Sequence, residues 1–292
     1  MTASPDSPES RVRRALAAHR ETRALATGPL EAVQGGLNNH AWFAETGTGA
    51  CFVRLGAGYA SSLGVDRAAE CRLLESMAEA GIAPLIVLCD PGRDLLVTER
   101  IRGRTWTRDA ALQPRNLERL GALLRSLHGI APQTGWSRVS FPSRARQLEE
   151  RLAALDLQDR ELGALAREAS LALAGRGDVA TACHNDLHHL NVLDDGQRLW
   201  LVDWEYGGAG DPLFDFASLL CQHPGVPSDR ERLLEAAGER EFGSAGRLEA
   251  ACVLFDYVQW LWYRLAARQA PDGAGVYAER ATAIRSRRLA MR

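Results

Sequence analysis

Apolar positions divide the chain into a β-rich first third and a helical remainder. Short apolar segments punctuated by glycine predict five strands, near residues 30–36, 40–45, 51–55, 82–89 and 95–101. Residues 66–79 are rich in Ala, Leu and Glu and begin just after Gly64, which predicts a helix among these strands.

From about Arg104 onward the spacing of apolar residues becomes helical. Leu120, Leu124 and Leu127 share one face of a helix predicted over residues 117–130. Further helices are predicted over residues 144–155, 161–174, 213–220, 230–237, 247–268 and 275–289. A short β interlude is predicted at 191–193 and 199–202, joined by a turn at 194–197.

These elements predict an α+β fold with two lobes. A small β-rich lobe is expected over residues 11–101, and a larger, mostly helical lobe over residues 102–292. Residues 1–10 are polar and rich in Ser and Pro, so we expect a disordered tail there.

Composition excludes several classes of partner. The formal net charge of −2 gives no general attraction to nucleic acid or to anionic lipid. No apolar run approaches the roughly 20 residues that span a bilayer, and the first ten residues lack the apolar segment of a secretion signal, so we expect a cytoplasmic protein. We also expect small-molecule partners and a monomer or homodimer. The six cysteines are widely spaced and lack any CxxC pairing, which favours buried thiols over disulfides or a zinc site.

One segment concentrates the candidate chemistry. His184, Asp186 and Asn191 form an H-x-D-x-x-x-x-N arrangement, and Asp203 follows an apolar strand twelve residues later. Phosphoryl transfer needs a carboxylate that accepts or orients the proton of the attacking hydroxyl, and oxygen ligands that hold Mg²⁺ against the phosphates. Asp186, Asn191 and Asp203 are the right residue types for these roles.

The segment from Cys183 to Ala217 resembles the catalytic loop and metal-binding strand of the aminoglycoside phosphotransferase and choline kinase superfamily, and most of all bacterial choline and thiamine kinases. The resemblance implies a protein-kinase-like fold, ATP as donor and Mg²⁺ as cofactor. It implies that Asp186 is the catalytic base, supported by His184, and that Asn191 and Asp203 bind magnesium. Glu205 would face the metal or the acceptor.

Other interpretations fit the residues of this segment less well. The acids could be solvated turn residues, but their joint order and spacing argue against that. His188 and His189 have zinc-ligand chemistry, although no third ligand is suitably spaced. A pseudokinase would have lost the base or a metal ligand, and all three are present. A protein kinase would carry Asp-Phe-Gly where this chain has Asp203-Trp204-Glu205.

Nucleotide contacts are expected in the first lobe. Gly35 and Gly36, followed by Asn38 and Asn39, fit a loop whose backbone approaches a triphosphate. The loop is similar to the glycine turn of choline kinases, with Asn38 where those enzymes often have Ser or Thr. A plain hairpin turn would carry the same glycines.

The strand at 51–55 contains Arg54, where protein kinases use Lys to hold phosphates. Choline kinase relatives often have Arg at this position, so Arg54 is the predicted phosphate ligand and Glu70 its ion-pair partner. Glu99 lies in the predicted hinge beside the adenine. A surface salt bridge is the alternative for the Arg54–Glu70 pair.

The acceptor pocket is expected in the last third of the chain. On the helix at 247–268, polar and aromatic residues gather opposite the leucine stripe, a surface suited to a cationic head group. The predicted acceptor residues are Glu205, Tyr206, Asp256, Gln259, Trp260 and Tyr263. Core packing is the alternative for this aromatic face. The resemblance implies choline, thiamine or a related amino alcohol as acceptor, with an aminoglycoside or amino sugar as the alternative.

Overall fold

A computed structural model describes residues 7–33, 39–46, 49–58, 63–174, 180–223, 230–238, 246–269 and 273–291. The chain forms two compact units. The first combines Met1–Arg104 with Asp195–Glu205, and the second combines Thr105–Asp194 with Tyr206–Arg292. Asp203 and Glu205 therefore belong to the same unit as the amino-terminal strands. A single boundary after residue 101 would place these two residues in the other unit.

The first unit is built on an antiparallel sheet with the strand order β1-β2-β3-β5-β4. The strands are β1 (Leu30–Val33), β2 (Asn39–Thr46), β3 (Gly49–Gly56), β4 (Ile86–Asp90) and β5 (Leu95–Glu99). All five confirm the sequence-based prediction. Because side chains alternate along a strand, Val53 and Leu55 of β3 enter the core while Arg54 between them faces the other side.

Helix α1 (Pro8–Ala17) packs into the same core through Val12 and Leu16. Its first turn is capped by Ser7, whose hydroxyl accepts a hydrogen bond from the backbone N–H of Ser10. The expectation of a disordered tail over residues 1–10 was therefore wrong for residues 8–10, which form the first turn of an amphipathic helix. A short helix α2 (Arg23–Thr27) follows.

Helix α3 (Arg67–Glu79) begins after Asp66, whose side chain accepts from the backbone N–H of Ala69. On this helix Cys71 forms a disulfide with Cys89 of β4. The expectation of six free thiols was wrong for this pair, because the fold and not a local motif brings the two residues together. The free cysteines are Cys51, Cys183, Cys221 and Cys252.

The second unit is mostly helical. Its helices are α4 (Arg108–Ala111), α5 (Pro114–His128), α6 (Phe141–Ala153), α7 (Arg160–Leu173), α8 (Leu213–Gln222), α9 (Arg230–Ala237), α10 (Arg247–Gln269) and α11 (Ala274–Ala290). Every helix predicted from the sequence is present, with ends that differ by at most about three residues. Among the helices in the described part of this unit, the four-residue α4 was not predicted from the sequence.

The remaining strands are short: β6 (Arg104–Thr105), β7 (Thr181–Cys183), β8 (Val192–Asp194), β9 (Leu199–Leu201) and β10 (Gly208–Gly210). Strands β8 and β9 confirm the predicted β interlude. Strands β7 and β10 pair antiparallel, with Cys183 opposite Gly208. This pairing fixes the position of the backbone immediately before His184.

Segment 195–205 is attached to the first unit by a backbone hydrogen bond of 2.9 Å from Leu201 N–H to the carbonyl of Ile82. None of the helices in the described ranges is both long and apolar enough to span a bilayer.

Candidate active site

A buried ion pair lies at the centre of the first unit. Both terminal nitrogens of Arg54 donate to the carboxylate of Glu70, at 2.6 and 2.9 Å. Arg54 is 5% exposed and Glu70 2% exposed, so solvent does not screen the pair. Burial alone would raise the pKa of Glu70, but Arg54 and Arg67 outweigh it and hold the pKa below its usual value. The pair joins β3 to α3, as the sequence-based prediction required.

A second arginine extends this pair into a network. Arg67 donates to Glu70 at 2.8 Å and to Glu205 at 3.2 Å, and it also contacts Asp94. Asn39 accepts from Arg67 at 3.0 Å and donates to Glu205 at 2.9 Å. Sequence reasoning did not find Arg67. Glu205 thus lies buried against Arg67 and Asn39, and its metal and acceptor roles stay predictions.

Asp203 occupies an unusual backbone conformation next to this network. Its φ of 64° places it in the left-handed region, which Asp tolerates better than most residues. One carboxylate oxygen lies 3.6 Å from Arg54, and 43% of the side chain is exposed. A positive φ on a non-glycine residue often marks a functional position, because the surrounding structure must hold it there.

The second unit contains the loop with Asp186. The imidazole Nδ1 of the fully buried His184 accepts from the backbone N–H of Asp186 at 3.4 Å. The side chain of Asn191 donates to the backbone carbonyl of Asp186 at 2.9 Å. His184 and Asn191 therefore hold the backbone of Asp186 from two sides.

A buried carboxylate, that of Asp215, anchors the start of this loop. Asp215 of α8 accepts from the backbone N–H groups of His184 at 3.1 Å and Asn185 at 2.6 Å, and from His128 Nε2 at 3.0 Å. Burial alone would raise the pKa of Asp215, but these interactions lower it. Asn185 has a φ of 65°, so the anchor also supports a left-handed residue directly before Asp186.

Two glutamine side chains meet the carboxylate of Asp186. Gln222 at the end of α8 donates to Oδ1 at 3.3 Å, and Gln259 of α10 donates to the same oxygen at 3.5 Å. His188 Nε2 lies 4.0 Å from Oδ2. Burial, with smaller effects of Arg280 and Arg108, lowers the pKa of His188 to about 4, so its imidazole is neutral at pH 7.

The predicted acceptor face of α10 has a different arrangement from the one expected. Both oxygens of Asp256 are bound by arginines of α11, Arg287 at 2.7 Å and Arg288 at 2.5 Å. Two guanidinium groups already balance the charge of Asp256, and its acceptor role stays a prediction. Trp260 is buried and stacks on Tyr257, with ring centroids 6.0 Å apart, so it packs in the core.

Each of the remaining predicted site residues makes a different contact or lies outside the described part of the chain. Tyr263 accepts a hydrogen bond from Arg280 at 3.2 Å, and Tyr206 lies under the guanidinium of Arg144 at 4.6 Å. Glu99 accepts from the backbone N–H of Leu85. That contact connects the end of β5 to the start of β4. The predicted phosphate loop residues Gly35, Gly36 and Asn38 lie outside the described residues.

Each unit, taken by itself, contains groups with the chemistry that Mg²⁺ or phosphate oxygens require. Carboxylate and amide oxygens, such as those of Asp203 and Asn191, are hard ligands of the kind Mg²⁺ prefers. The Nε of buried Arg54 has no hydrogen-bond partner in the described part of the chain, which leaves a donor for a phosphate oxygen. Among the described residues, His128, Cys183 and Asp215 form the one group of side chains close enough together to hold a metal ion. Burial raises the pKa of Cys183 far above its usual value, so it stays a thiol, which is a poor ligand.

Comparison with known proteins gives the family. The model of the phosphotransferase enzyme family matches residues 29–251. A 42-residue segment is 53% identical to protein LicA of Haemophilus influenzae, and covers 14% of this chain and 16% of LicA. The matched segment is thus well under two thirds of that relative.

Solved structures agree over nearly the whole chain. A choline/ethanolamine kinase family protein from Mesorhizobium loti has a TM-score of 0.75 and 27% identity, covering 95% of this chain and 93% of that chain. LicA in complex with AMP has a TM-score of 0.70 and 20% identity, covering 88% and 91% of the two chains. These similarities confirm the predicted kinase-like α+β fold. With a family model that matches well over half of its residues, this chain belongs to the phosphotransferase enzyme family.

Proposed function

We propose that this protein is an ATP-dependent kinase that phosphorylates a hydroxyl group of a small molecule. The observation that carries the proposal is the arrangement around Asp186: a carboxylate on a loop whose backbone is held by His184, Asn191 and Asp215. A general base needs this kind of fixed position to accept a proton as the hydroxyl oxygen attacks phosphorus. Family membership supports the same reaction class.

Each remaining residue has a proposed role. Arg54, held by Glu70, donates to the phosphates of ATP, and its guanidinium suits paired contacts with phosphate oxygens. Asn191 and Asp203 are the proposed ligands of Mg²⁺. Glu205 follows Asp203 by two residues, and Asn39 belongs to the same unit as Asp203. Bound Mg²⁺ would supply charge neutralisation at the phosphates. The AMP complex of a structural neighbour supports a nucleotide donor.

The proposed acceptor is a small amino alcohol of the choline or ethanolamine type. The support comes from the choline/ethanolamine kinase family protein, which is similar over 95% of this chain. Asp256 does not contribute to this part of the proposal, since its charge is balanced by Arg287 and Arg288. We assign the reaction to the cytoplasm, where ATP and Mg²⁺ are abundant.

The test is transfer of labelled γ-phosphate from ATP to choline, ethanolamine, thiamine, aminoglycosides and amino sugars. The proposal expects Mg²⁺-dependent labelling of an amino alcohol and loss of labelling in Asp186→Asn. Preferred labelling of an aminoglycoside would refute the proposed amino alcohol acceptor but would still agree with the proposed kinase reaction. If the wild-type protein labels no acceptor, the reaction class itself is refuted.

A further inference from the structure

The carboxylate of Asp186 is approached by two amides from separate helices. Gln222 ends α8 and Gln259 lies in the middle of α10, and both side-chain nitrogens point to the same oxygen, Oδ1, at 3.3 and 3.5 Å. Two donors on one oxygen restrict rotation of the carboxylate about its last bond. The contacts are long, as hydrogen bonds to catalytic groups commonly are before substrate binds.

The amides reach Asp186 because their helices are fixed elsewhere. Helix α8 is held by Ser218, whose hydroxyl donates to the carbonyl of Leu187 at 3.0 Å, and by Asp215 at the other end of the loop. Helix α10 is buried along most of its length. Because both helices are held in place, the backbone positions of the two glutamines are fixed and only their side chains can rotate. Both residues are therefore suitable as donors with a defined position.

Other groups of the second unit also lie near the carboxylate of Asp186. They include His188, which is neutral at pH 7, and Tyr263, whose pKa burial raises. Arg280 contacts Tyr263 and, with Arg108, lies near His188. An amide hydrogen-bonds a carboxylate without forming an ion pair, so it orients the base without competing for its charge.

From this geometry we infer that Gln222 and Gln259 are positioning residues that orient the carboxylate of Asp186 for attack by the acceptor hydroxyl. The inference rests on the proposed kinase function. It gives Gln259 a role different from the acceptor contact expected from sequence. A base displaced by a fraction of an ångström loses much of its effect, because the reacting atoms must be aligned before proton transfer.

The variants Gln222→Met and Gln259→Met, singly and together, remove the donors while nearly preserving side-chain length. With the best acceptor, the double variant is expected to lower kcat by roughly tenfold to a hundredfold. The KM values for ATP and acceptor should change by less than about twofold, since ground-state binding is retained. Gln147→Met, on the exposed face of α6, is the matched control and should leave kcat unchanged.

A double-mutant cycle separates orientation from packing. In an Asp186→Asn background there is no carboxylate to orient, so adding the two Met substitutions should change the residual rate by less than about twofold. If packing explained the effect, the loss would persist in that background. Gln222→Glu is an isosteric second variant, and its like charge beside Asp186 should lower kcat further than Met does.

Three results would overturn the inference while leaving the proposed function intact. A higher acceptor KM with normal kcat would make the glutamines acceptor ligands. A full additional loss in the Asp186→Asn background would make them packing residues. Unchanged kcat in the double variant, with active wild-type protein and inactive Asp186→Asn, would refute this inference alone. Wild-type protein without transfer to any acceptor would instead refute the proposed function, and this inference with it.

Discussion

Replacement of Glu70 by Gln removes one charge from the buried pair with Arg54 while nearly preserving side-chain shape. Three hydrogen bonds reach the Glu70 carboxylate, two from Arg54 at 2.6 and 2.9 Å and one from Arg67 at 2.8 Å. In Glu70→Gln, the two guanidinium groups keep their charge in a site that water does not reach. An uncompensated buried cation is the main cost of such a change.

The structure sets the size of the effect. Breaking a buried ion pair from one side costs about 3–5 kcal/mol of unfolding free energy. Arg67 keeps Asp94 and Glu205 as partners, and Arg54 keeps Asp203 at 3.6 Å, so the lower end of that range applies. We therefore expect a loss of about 3 kcal/mol at pH 7. The KM for ATP should also rise, because Arg54 is no longer fixed by Glu70.

The pH dependence of the loss follows from the lowered pKa of Glu70. A carboxyl group whose pKa is lowered by folding stabilises the protein above its unfolded-state pKa, and loses this contribution as pH falls through the folded-state pKa. The ordinary pKa is 4.5 and the folded value lies below it. The difference in stability between wild-type protein and Glu70→Gln should thus be constant near neutral pH and shrink below about pH 4.5.

Urea denaturation at several pH values measures this difference, and hydrogen exchange of peptides from α3 assigns it to the first unit. Glu9→Gln is the matched control, because the Glu9–Arg13 pair is exposed, with side chains 49% and 32% accessible. It should cost less than about 1 kcal/mol. A loss in Glu70→Gln no larger than in the control would refute the idea that this buried pair stabilises the unit.

Three further predictions concern other parts of the molecule. Asp203→Ala should weaken binding of Mg²⁺–ATP in calorimetry and abolish Mg²⁺-dependent turnover; unchanged metal dependence would remove Asp203 from the ligand set. Asp256→Asn should lower stability by about 3–5 kcal/mol through its unpaired arginines, with little change in the acceptor KM, whereas a raised KM with normal melting would restore its acceptor role. Cys71→Ser should cost about 3 kcal/mol under oxidising conditions, since Cys71 and Cys89 close a loop of 18 residues; equal stability of wild-type protein with and without reductant would contradict this.

Local sequence signals account for most of the secondary structure. The helices of the second unit carry apolar residues at helical spacing, and several begin at capping residues such as Asp159 and Ser140, so one segment of sequence contains the information needed. The start of helix α1 was missed because its first turn, Pro8 to Ser10, continues the polar, Ser- and Pro-rich composition of the residues before it. Strands β7 and β10 were missed because three residues are too short for an alternating pattern.

The candidate site was predictable where a motif fixes both residue type and order. Asp186, Asn191 and Asp203 belong to such a motif, and the partnership of Arg54 with Glu70 follows from the kinase-like resemblance. Contacts between distant parts of the chain have no such signal. Asn39 and Glu205 are 166 residues apart, and Asp186 and Gln222 are 36 apart, yet each pair is hydrogen-bonded.

The acceptor side shows why a helical wheel is insufficient. The wheel correctly places Asp256 opposite the leucine stripe of α10, but it does not show that α11 supplies two arginines to that carboxylate. The disulfide is a similar case, because Cys71 and Cys89 meet only after α3 packs near β4. In both cases the partner comes from another element, so no pattern within one element can reveal it.

Phosphate transfer from labelled ATP, compared between wild-type protein and Asp186→Asn, tests the kinase function most directly. We expect wild-type protein to label an amino alcohol in the presence of Mg²⁺, and Asp186→Asn to lose at least about 10²-fold in kcat with ATP binding retained. Equal turnover by the two proteins would contradict the assignment of Asp186 as the base on which the proposed reaction depends.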